Sequence, residues 1–376
     1  MYDLVIKDAI IIDPENEQIT QGSMAIKGNE IVPYEDNEPS KNIINAAGKY
    51  VSPGFIDFHT HVYSGSMYGI NPDLLFPYGV TTVVDQGTVG YINFDSFYNE
   101  TFSRLMKTYM FINVFPMGQP GGNIPEILNP SLLHLEKISH LLHNHKELIK
   151  GIKIKYIHNT IGEFGAIPLK MALDFGHEVG VPVCVHTTDS PASASDILAL
   201  LRADDIYCHC FQGHGNTILN QNGSVPEEIF DAQQRGVILD AANGCINFDY
   251  TVAMKAFECG FEPDVISTDL TSKGFNVPGA AMARNLAFIM SKYLNIGMSI
   301  EKIIKAVTFT PARIMGLEDY IGTIKIGSNA DLCLFEICNL PHSFLDANNI
   351  ERIGYQYIKA EATIVDGEIV YLGAEL

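Results

Sequence analysis

The middle of the chain alternates short apolar runs with longer segments of helical periodicity. Eight apolar runs stand out: Phe55–Val62, Thr81–Gln86, Tyr109–Phe115, Gly151–Ile157, Val181–His186, Asp205–Phe211, Gly236–Ala241 and Val265–Asp269. Helix-like segments lie among them and after them, including Phe94–Lys107, Leu132–Leu148, Ile167–Val179, Ser193–Ala203, Glu227–Arg235, Tyr250–Cys259, Ala280–Leu294 and Ser299–Met315. This alternation is typical of parallel βα units, and eight units predict an α/β fold of the (β/α)8 TIM-barrel type. A doubly wound open sheet is the alternative, although no glycine-rich dinucleotide turn follows the first run.

Both ends of the chain have strand character without helices. The N-terminal runs are Leu4–Ile12, Ser23–Ile26 and Glu30–Pro33, and the C-terminal runs are Asp331–Phe335, Ala362–Val365 and Glu368–Leu372. Asp366-Gly367 stands between two of these runs as a hairpin turn. We therefore predict a small β-sandwich domain built from residues 1–53 and 318–376, beside a barrel of residues 54–317.

Composition and charge exclude several classes of protein. Of the 376 residues, 47% are hydrophobic and 18% are charged, which argues against global disorder. The 44 acidic residues outnumber the 24 lysines and arginines, giving a net charge of −20 that disfavours binding to nucleic acid or anionic membranes. Seven scattered cysteines and the lack of a signal-peptide pattern or a long apolar window predict a reduced, cytoplasmic protein.

The first run ends in two histidines separated by one residue, in the stretch GFIDFHTH. Residues two apart in a strand face the same side, so His59 and His61 should point together into the barrel. Imidazoles pack poorly in a core because each leaves a polar nitrogen to satisfy, but they bind metal well. A pair of hydrogen-bonded structural histidines is the alternative.

Further polar residues interrupt later strands, most of them near the carboxyl end, where active sites of such barrels lie. They are Lys153, Lys155, His186, His209 and Asp269. A lysine among metal ligands needs an explanation, because an ammonium group has no lone pair. Its neutral amine can react with CO2 to form a carbamate, an anion able to bridge two cations. A salt-bridged lysine is the alternative, and Lys153 and Lys155 are both candidates for the carbamate.

Loop residues and cysteines supply weaker candidates. Lys155, together with His214 and Asn243 after the sixth and seventh runs, is a candidate for substrate binding, with ordinary turn chemistry as the alternative for the two loop residues. Cys208 and Cys210 flank His209, and strand alternation predicts that both face away from it and pack under the helices. A thiolate zinc site is the alternative for the two cysteines.

The ordered set of motifs resembles the amidohydrolase superfamily of binuclear metal hydrolases. The resemblance rests on VSPGFIDFHTH, on GVTTVVDQGT (Gly79–Thr88), on GTIKIGSNADLCLFE (Gly322–Glu336) and on TIVDGEIVY (Thr363–Tyr371). It implies that His59, His61 and Asp269 bind the more buried metal, that His186 and His209 bind the second, and that carboxylated Lys153 bridges them. It also favours Lys153 over Lys155, two divalent ions (zinc above all), and the amidohydrolase or deacetylase branch near dihydroorotase.

The expected reaction is hydrolysis of a small acyl amide, ester or cyclic amide. The two metals would supply a bridging hydroxide, with Asp269 as general base and then general acid. A dihydroorotase-like cyclic amidase is one alternative, although Tyr63 stands where such enzymes carry an arginine. A catalytically dead scaffold and a mononuclear deaminase are the others. The expected partners are a small-molecule substrate and further copies of the chain in a homo-oligomer.

Overall fold

The computed structural model describes residues 1–121, 124–276 and 283–374. The N-terminal part consists of five strands: β1 (Tyr2–Asp13), β2 (Gln18–Lys27), β3 (Glu30–Val32), β4 (Ser40–Asn45) and β5 (Tyr50–Pro53). Strand β1 pairs with β2 along its length, and its other edge pairs with β4 in the first half and β5 in the second. A bulge between Ile6 and Ala9, where Asp8 adopts a left-handed φ of 58°, separates the two halves.

Seven parallel strands follow and form one sheet in sequence order. They are β6 (Phe55–Thr60), β7 (Val80–Gln86), β8 (Lys107–Asn113), β9 (Ile149–Lys155), β10 (Val183–His186), β11 (Ile206–Cys208) and β12 (Ile238–Asp240). The described helices are α1 (Phe94–Thr101), α2 (Leu135–Asn144), α3 (His158–Ile161), α4 (Ile167–Val179), α5 (Ala194–Leu198), α6 (Glu227–Gln234), α7 (Tyr250–Glu258), α8 (Ser272–Asn276), α9 (Leu286–Ile296), α10 (Ile300–Val307) and α11 (Phe309–Ile314).

The eighth position of the barrel is filled by residues 265–270, which form bridges rather than a regular strand. Val265 pairs with Asp240 on one side, and Leu270 pairs with Thr60 on the other. The ring of strands is therefore closed between β12 and β6. The segment departs from regular strand geometry because Asp269 adopts a left-handed φ of 50°.

The C-terminal strands complete the sheet begun by the N-terminus. They are β13 (Leu332–Cys338), β14 (His342–Leu345), β15 (Glu351–Gly354), β16 (Tyr357–Val365) and β17 (Glu368–Leu372). Strand β13 pairs with β5, so strands from both chain ends form one eight-stranded sheet in the order β17-β16-β13-β5-β1-β2-β3, with β4 on β1. Strands β14 and β15 form a separate hairpin.

Several apolar clusters of described residues fill these layers. Large side chains between strands and helices form the main core, whereas Phe58, Phe111 and Cys208 belong to the cluster inside the barrel. The sheet from the two chain ends has its own core around Leu4, Ile26, Leu332 and Ile364. Separate cores are the physical sign of two packing units.

The predicted α/β fold, a TIM barrel with a strand unit built from both chain ends, is confirmed. The unit is one hydrogen-bonded sheet, and the divisions after residues 53 and 317 remain a prediction. The segment Ser299–Met315, predicted as one helix, divides at Thr308, where φ is −137° and ψ is −80°. The predicted helix Ala280–Leu294 begins outside the described residues, and α9 starts at Leu286. In the described part of the chain, no helix has the length and apolarity that crossing a bilayer requires.

Candidate active site

Strand β6 places His59 and His61 together at the carboxyl end of the barrel. Both side chains are buried, and both direct Nε2 toward Oδ1 of Asp269, at 3.5 Å from His59 and 3.0 Å from His61. The backbone N–H of Asp269 donates to the carbonyl of His59 at 2.7 Å. The left-handed turn at Asp269 thus returns its carboxylate to the two histidines at the end of the first strand.

A second pair of histidines comes from the fifth and sixth strands. His186 ends β10, and His209 directly follows β11 with a left-handed φ of 70°. His209 places Nδ1 at 2.8 Å from the carbonyl of Ala242, which fixes its proton on Nδ1 and leaves a lone pair on Nε2. That Nε2 lies 2.9 Å from Nδ1 of His186.

The spacing of these atoms suits metal coordination. Two ligands on a tetrahedral Zn²⁺, with Zn–N of about 2.0–2.1 Å, lie about 3.3–3.4 Å apart. The separations within both groups, 2.9–3.5 Å, are close to that value. The rings of His59 and His209 have centroids 5.2 Å apart, so the two groups adjoin. His59, His61 and Asp269 also form a set whose ligand atoms could hold one ion.

Electrostatics favour the protonation states in which these side chains can bind a metal. Burial lowers the pKa of His209 to about 3 and holds the pKa of His59 and His186 well below the ordinary value. The positive charge of Lys153 lowers all three further. Burial opposes ionisation of Asp269, but the hydrogen bond from His61 and the nearby imidazoles outweigh it and lower its pKa. The site therefore presents neutral imidazoles at His59, His186 and His209 and a carboxylate at Asp269 at neutral pH.

Outer contacts orient the two histidines of β6. Nδ1 of His61 lies 2.6 Å from Oγ1 of Thr88, and Nδ1 of His59 lies 3.3 Å from Oδ2 of Asp240. Asp240 is itself held by the hydroxyl of Ser267 at 2.6 Å. Because each imidazole has its second nitrogen engaged, Nε2 of each is directed to the common centre.

Lys153 lies beneath this centre in the barrel interior, and 1% of its surface is exposed. Its Nζ is 3.3 Å from Sγ of Cys184 and 3.7 Å from Sγ of Cys208. Lys155, the other candidate on β9, instead forms an ion pair of 3.0 Å with Glu126. Of the two lysines, Lys153 is fully buried in the barrel interior, whereas Lys155 lines the cavity beside His59, His61 and His186.

The expectation that Cys208 packs under the helices is wrong. Cys208 belongs to the apolar cluster inside the barrel, and its Sγ lies 3.3 Å from Nδ1 of His59. Strand alternation fails here because β11 ends at Cys208 and His209 has a left-handed backbone, which turns both side chains inward. Cys210 packs in the main core between strands and helices, as expected.

A cavity of about 220 Å³ opens over the site. Its described lining comprises His59, His61, Tyr68, Gln119, Lys155, His186, Cys245, Ile246, Asn247, Asp269, Thr271 and Lys273. Asn243 is not among them, because its amide faces Tyr293 Oη at 3.2 Å and the carbonyl of Ser267. His214 is exposed on its loop and does not line the cavity either.

Asn247 and Lys273 are among the polar residues of this cavity that sequence reasoning missed. Asn247 donates from Nδ2 to Oδ2 of Asp269 at 2.8 Å and accepts from the hydroxyl of Thr188 at 2.7 Å. Both residues lie in segments that follow the seventh and eighth barrel positions. Their position after barrel strands was the one sequence feature that could have indicated a role in the cavity. That feature does not distinguish Asn247 from Asn243.

Known proteins resemble this chain along most of its length. The chain matches the amidohydrolase family over residues 50–370. A deacetylase of Enterococcus faecalis is 30% identical over 376 residues, covering 98% of this chain and 99% of the relative. A solved structure described as an adenine deaminase has a TM-score of 0.88 at 28% identity, covering 98% of this chain and 99% of that one. Another, described as a dihydroorotase, has a TM-score of 0.88 at 26% identity, covering 99% and 98%.

Gly87 provides a test of the packing around Lys153. Its φ is +81°, and a Cβ added there would lie 2.6 Å from Cγ of Lys153. Gly87→Ala should lower the free energy of unfolding by about 2–5 kcal/mol, from left-handed strain plus steric overlap. Urea denaturation measures this loss. The control is Gly180→Ala, with φ +73° and no neighbour within 4 Å, which should lose only about 1–2 kcal/mol. Equal losses in both variants would contradict the proposed contact.

Proposed function

The chain belongs to the amidohydrolase family and is a hydrolase of carbon–nitrogen bonds, and we propose that it removes a small acyl group from an amide or ester by metal-dependent hydrolysis. The observation that carries this proposal is the convergence of four histidines and the Asp269 carboxylate beside one cavity. A deacetylase reaction is also consistent with the relative in Enterococcus faecalis, which bears that name.

We assign the residues to two divalent cations, with zinc favoured by the imidazole-rich set. His59, His61 and Asp269 would hold one ion, and His186 and His209 the other. Lys153, the fully buried lysine of β9, would bridge them as a carbamate, whereas Lys155 is already paired with Glu126. When bound, such ions lower the pKa of coordinated water toward neutrality and polarise a carbonyl oxygen.

Asp269 is the group we assign to proton transfer. Its Oδ1 faces His59 and His61, whereas Oδ2 accepts the hydrogen bond from Asn247. Asn247 is in turn held by Thr188, so the carboxylate has a fixed orientation at the cavity wall. Asp269 would accept a proton from the attacking water and return it to the leaving nitrogen or oxygen.

The cavity lining points to an anionic substrate. Lys155 is paired with Glu126, whereas Lys273 forms no ion pair with any described residue. Lys273 is therefore the lining residue that we assign to a substrate carboxylate. Tyr63 has no cationic group, and it is buried with its ring centroid 6.1 Å from that of Phe97. Because Tyr63 stands where dihydroorotases carry an arginine for the substrate carboxylate, an acyl-substituted carboxylic acid is favoured over dihydroorotate.

Asp269→Asn tests the mechanism. Asparagine keeps an oxygen for coordination but is a very poor base, so kcat for an N-acyl or O-acyl carboxylic acid should fall by about 100-fold or more. Steady-state kinetics on zinc-reconstituted protein, with elemental analysis, measure turnover and metal together. Asp189→Asn, at an exposed residue outside the cavity lining, is the control and should keep wild-type turnover. Full turnover of a metal-replete Asp269→Asn variant would remove Asp269 from proton transfer, and a metal-free, inactive wild type would favour the scaffold alternative.

Lys153→Ala tests the carbamate. The variant should lose activity and recover part of it with formate, acetate or propionate, because a short carboxylate can take the place of the carbamate as a bridging anion. Lys155→Ala should show no such recovery. An unmodified Lys153 in a structure with both cations bound would be inconsistent with the carbamate and would redirect attention to Lys155.

Lys273→Met tests the substrate class. Losing one charge-assisted hydrogen bond of about 1.5–3 kcal/mol should lower kcat/KM for an acyl carboxylic acid by about 10- to 150-fold. The matching substrate with a primary amide in place of the carboxylate should change little between variant and wild type. Equal losses for both substrates would show that Lys273 does not recognise the anion.

A further inference from the structure

A second cavity, of 240 Å³, lies between helices α7 and α9 and the β14–β15 hairpin. Its described lining consists of Tyr250, Met254, Lys292, Asn295, Ile296, Phe344, Arg352, Ile353 and Gly354. None of these residues lines the cavity over the histidines. The amidohydrolase reaction proposed above makes no use of this second cavity.

Two cationic side chains in the lining of the second cavity lie near the ring of Tyr250. Cζ of Arg352 lies 5.1 Å from the centroid of the Tyr250 ring, and Nζ of Lys292 lies 5.9 Å from it. Only 1% of Lys292 is exposed, and its Nζ lies 4.2 Å from the Phe248 centroid and 3.2 Å from the carbonyl of Leu345. Arg352 forms no ion pair with any residue in the described ranges. A buried ammonium and a guanidinium therefore both line the second cavity and give it a positive potential.

Asp346, the acidic residue whose charge acts on Lys292, is engaged by the backbone. The carboxylate of Asp346 accepts hydrogen bonds from the N–H groups of Tyr250 at 3.1 Å, Asn348 at 2.9 Å and Ile350 at 2.8 Å. Burial lowers the pKa of Lys292 to about 7, although the charge of Asp346 opposes this shift. An additional anion beside Lys292 would favour its charged form.

The rest of the wall is apolar or has its polar atoms occupied. Met254, Ile296 and Phe344 contribute hydrocarbon and thioether surface. The amide of Asn295 is used by the backbone, since Nδ2 donates to Ser291 and Gln356 and Oδ1 accepts from Tyr355. The volume exceeds the roughly 150 Å³ of an apolar protein cavity that holds benzene. One ring-sized apolar body with one anionic group therefore fits.

We propose that the second cavity is a binding site for a small organic carboxylate with an apolar body, whose carboxylate pairs with Lys292 and Arg352. Charge complementarity at one end and apolar burial at the other would together select this class over inorganic anions and over neutral isosteres.

The probe is 4-fluorobenzoate, followed by ¹⁹F NMR titration of the full chain. We expect saturable binding that weakens at least about tenfold in Arg352→Met, because a charge-assisted contact is lost. The neutral isostere 4-fluorobenzamide should bind wild type at least about tenfold more weakly than 4-fluorobenzoate. Lys273→Met is the matched control, since it removes a lysine from the other cavity, and it should keep wild-type affinity.

Arg352 is exposed, so its substitution should leave the melting temperature nearly unchanged. Ile296→Trp, which would fill the cavity from its apolar wall, provides a second variant and should also abolish binding. The proposal is overturned if wild type shows no saturable binding, if both variants bind as wild type does, or if Lys273→Met alone removes binding.

Discussion

Hydrogen bonds between residues 265–270 and the first barrel strand close the barrel and fix the carboxylate of the site. The buried side chain of Asp57 accepts from the N–H of Thr268 at 3.0 Å and from its hydroxyl at 2.7 Å. One residue later, the N–H of Asp269 donates to His59. Burial raises the pKa of Asp57 to about 7, so this junction sits in a strongly desolvated place. The position of the carboxylate relative to the two histidines therefore depends on the barrel closing here.

The barrel interior concentrates polar groups that a core otherwise excludes, and outer contacts hold them. His59 contacts Asp240, and His61 contacts Thr88. His209 is hydrogen-bonded to the carbonyl of Ala242, and Asp269 accepts a hydrogen bond from Asn247. Fixed partners of this kind orient ligands before any ion or substrate arrives, which is a requirement for metal-dependent hydrolysis. Burial also keeps His59, His186 and His209 neutral, so their lone pairs remain available.

Strands β5 and β13 pair, and this pairing joins strands from both chain ends in one sheet. Along the sequence, the barrel is therefore inserted between the two parts of that sheet. Lys107 on the barrel strand β8 ties the two units, since its Nζ lies 2.9 Å from Asp331 and 2.8 Å from Asp366. The carboxylate of Asp331 is almost entirely buried, which makes this contact more than a surface ion pair.

The periodicity of the sequence determined the barrel, the strand character of both ends and the strand ends that carry histidines, because hydrophobic patterning and βα alternation are local properties. Tertiary structure decided the features that depend on the sign of φ and on contacts between residues distant in sequence. Left-handed φ at His209 and Asp269 turned Cys208 inward and broke the regular eighth strand, against simple alternation. Asn247, and not Asn243, contacts Asp269, and Lys155 pairs with Glu126. These contacts involve loops whose positions are set by packing between segments distant in sequence.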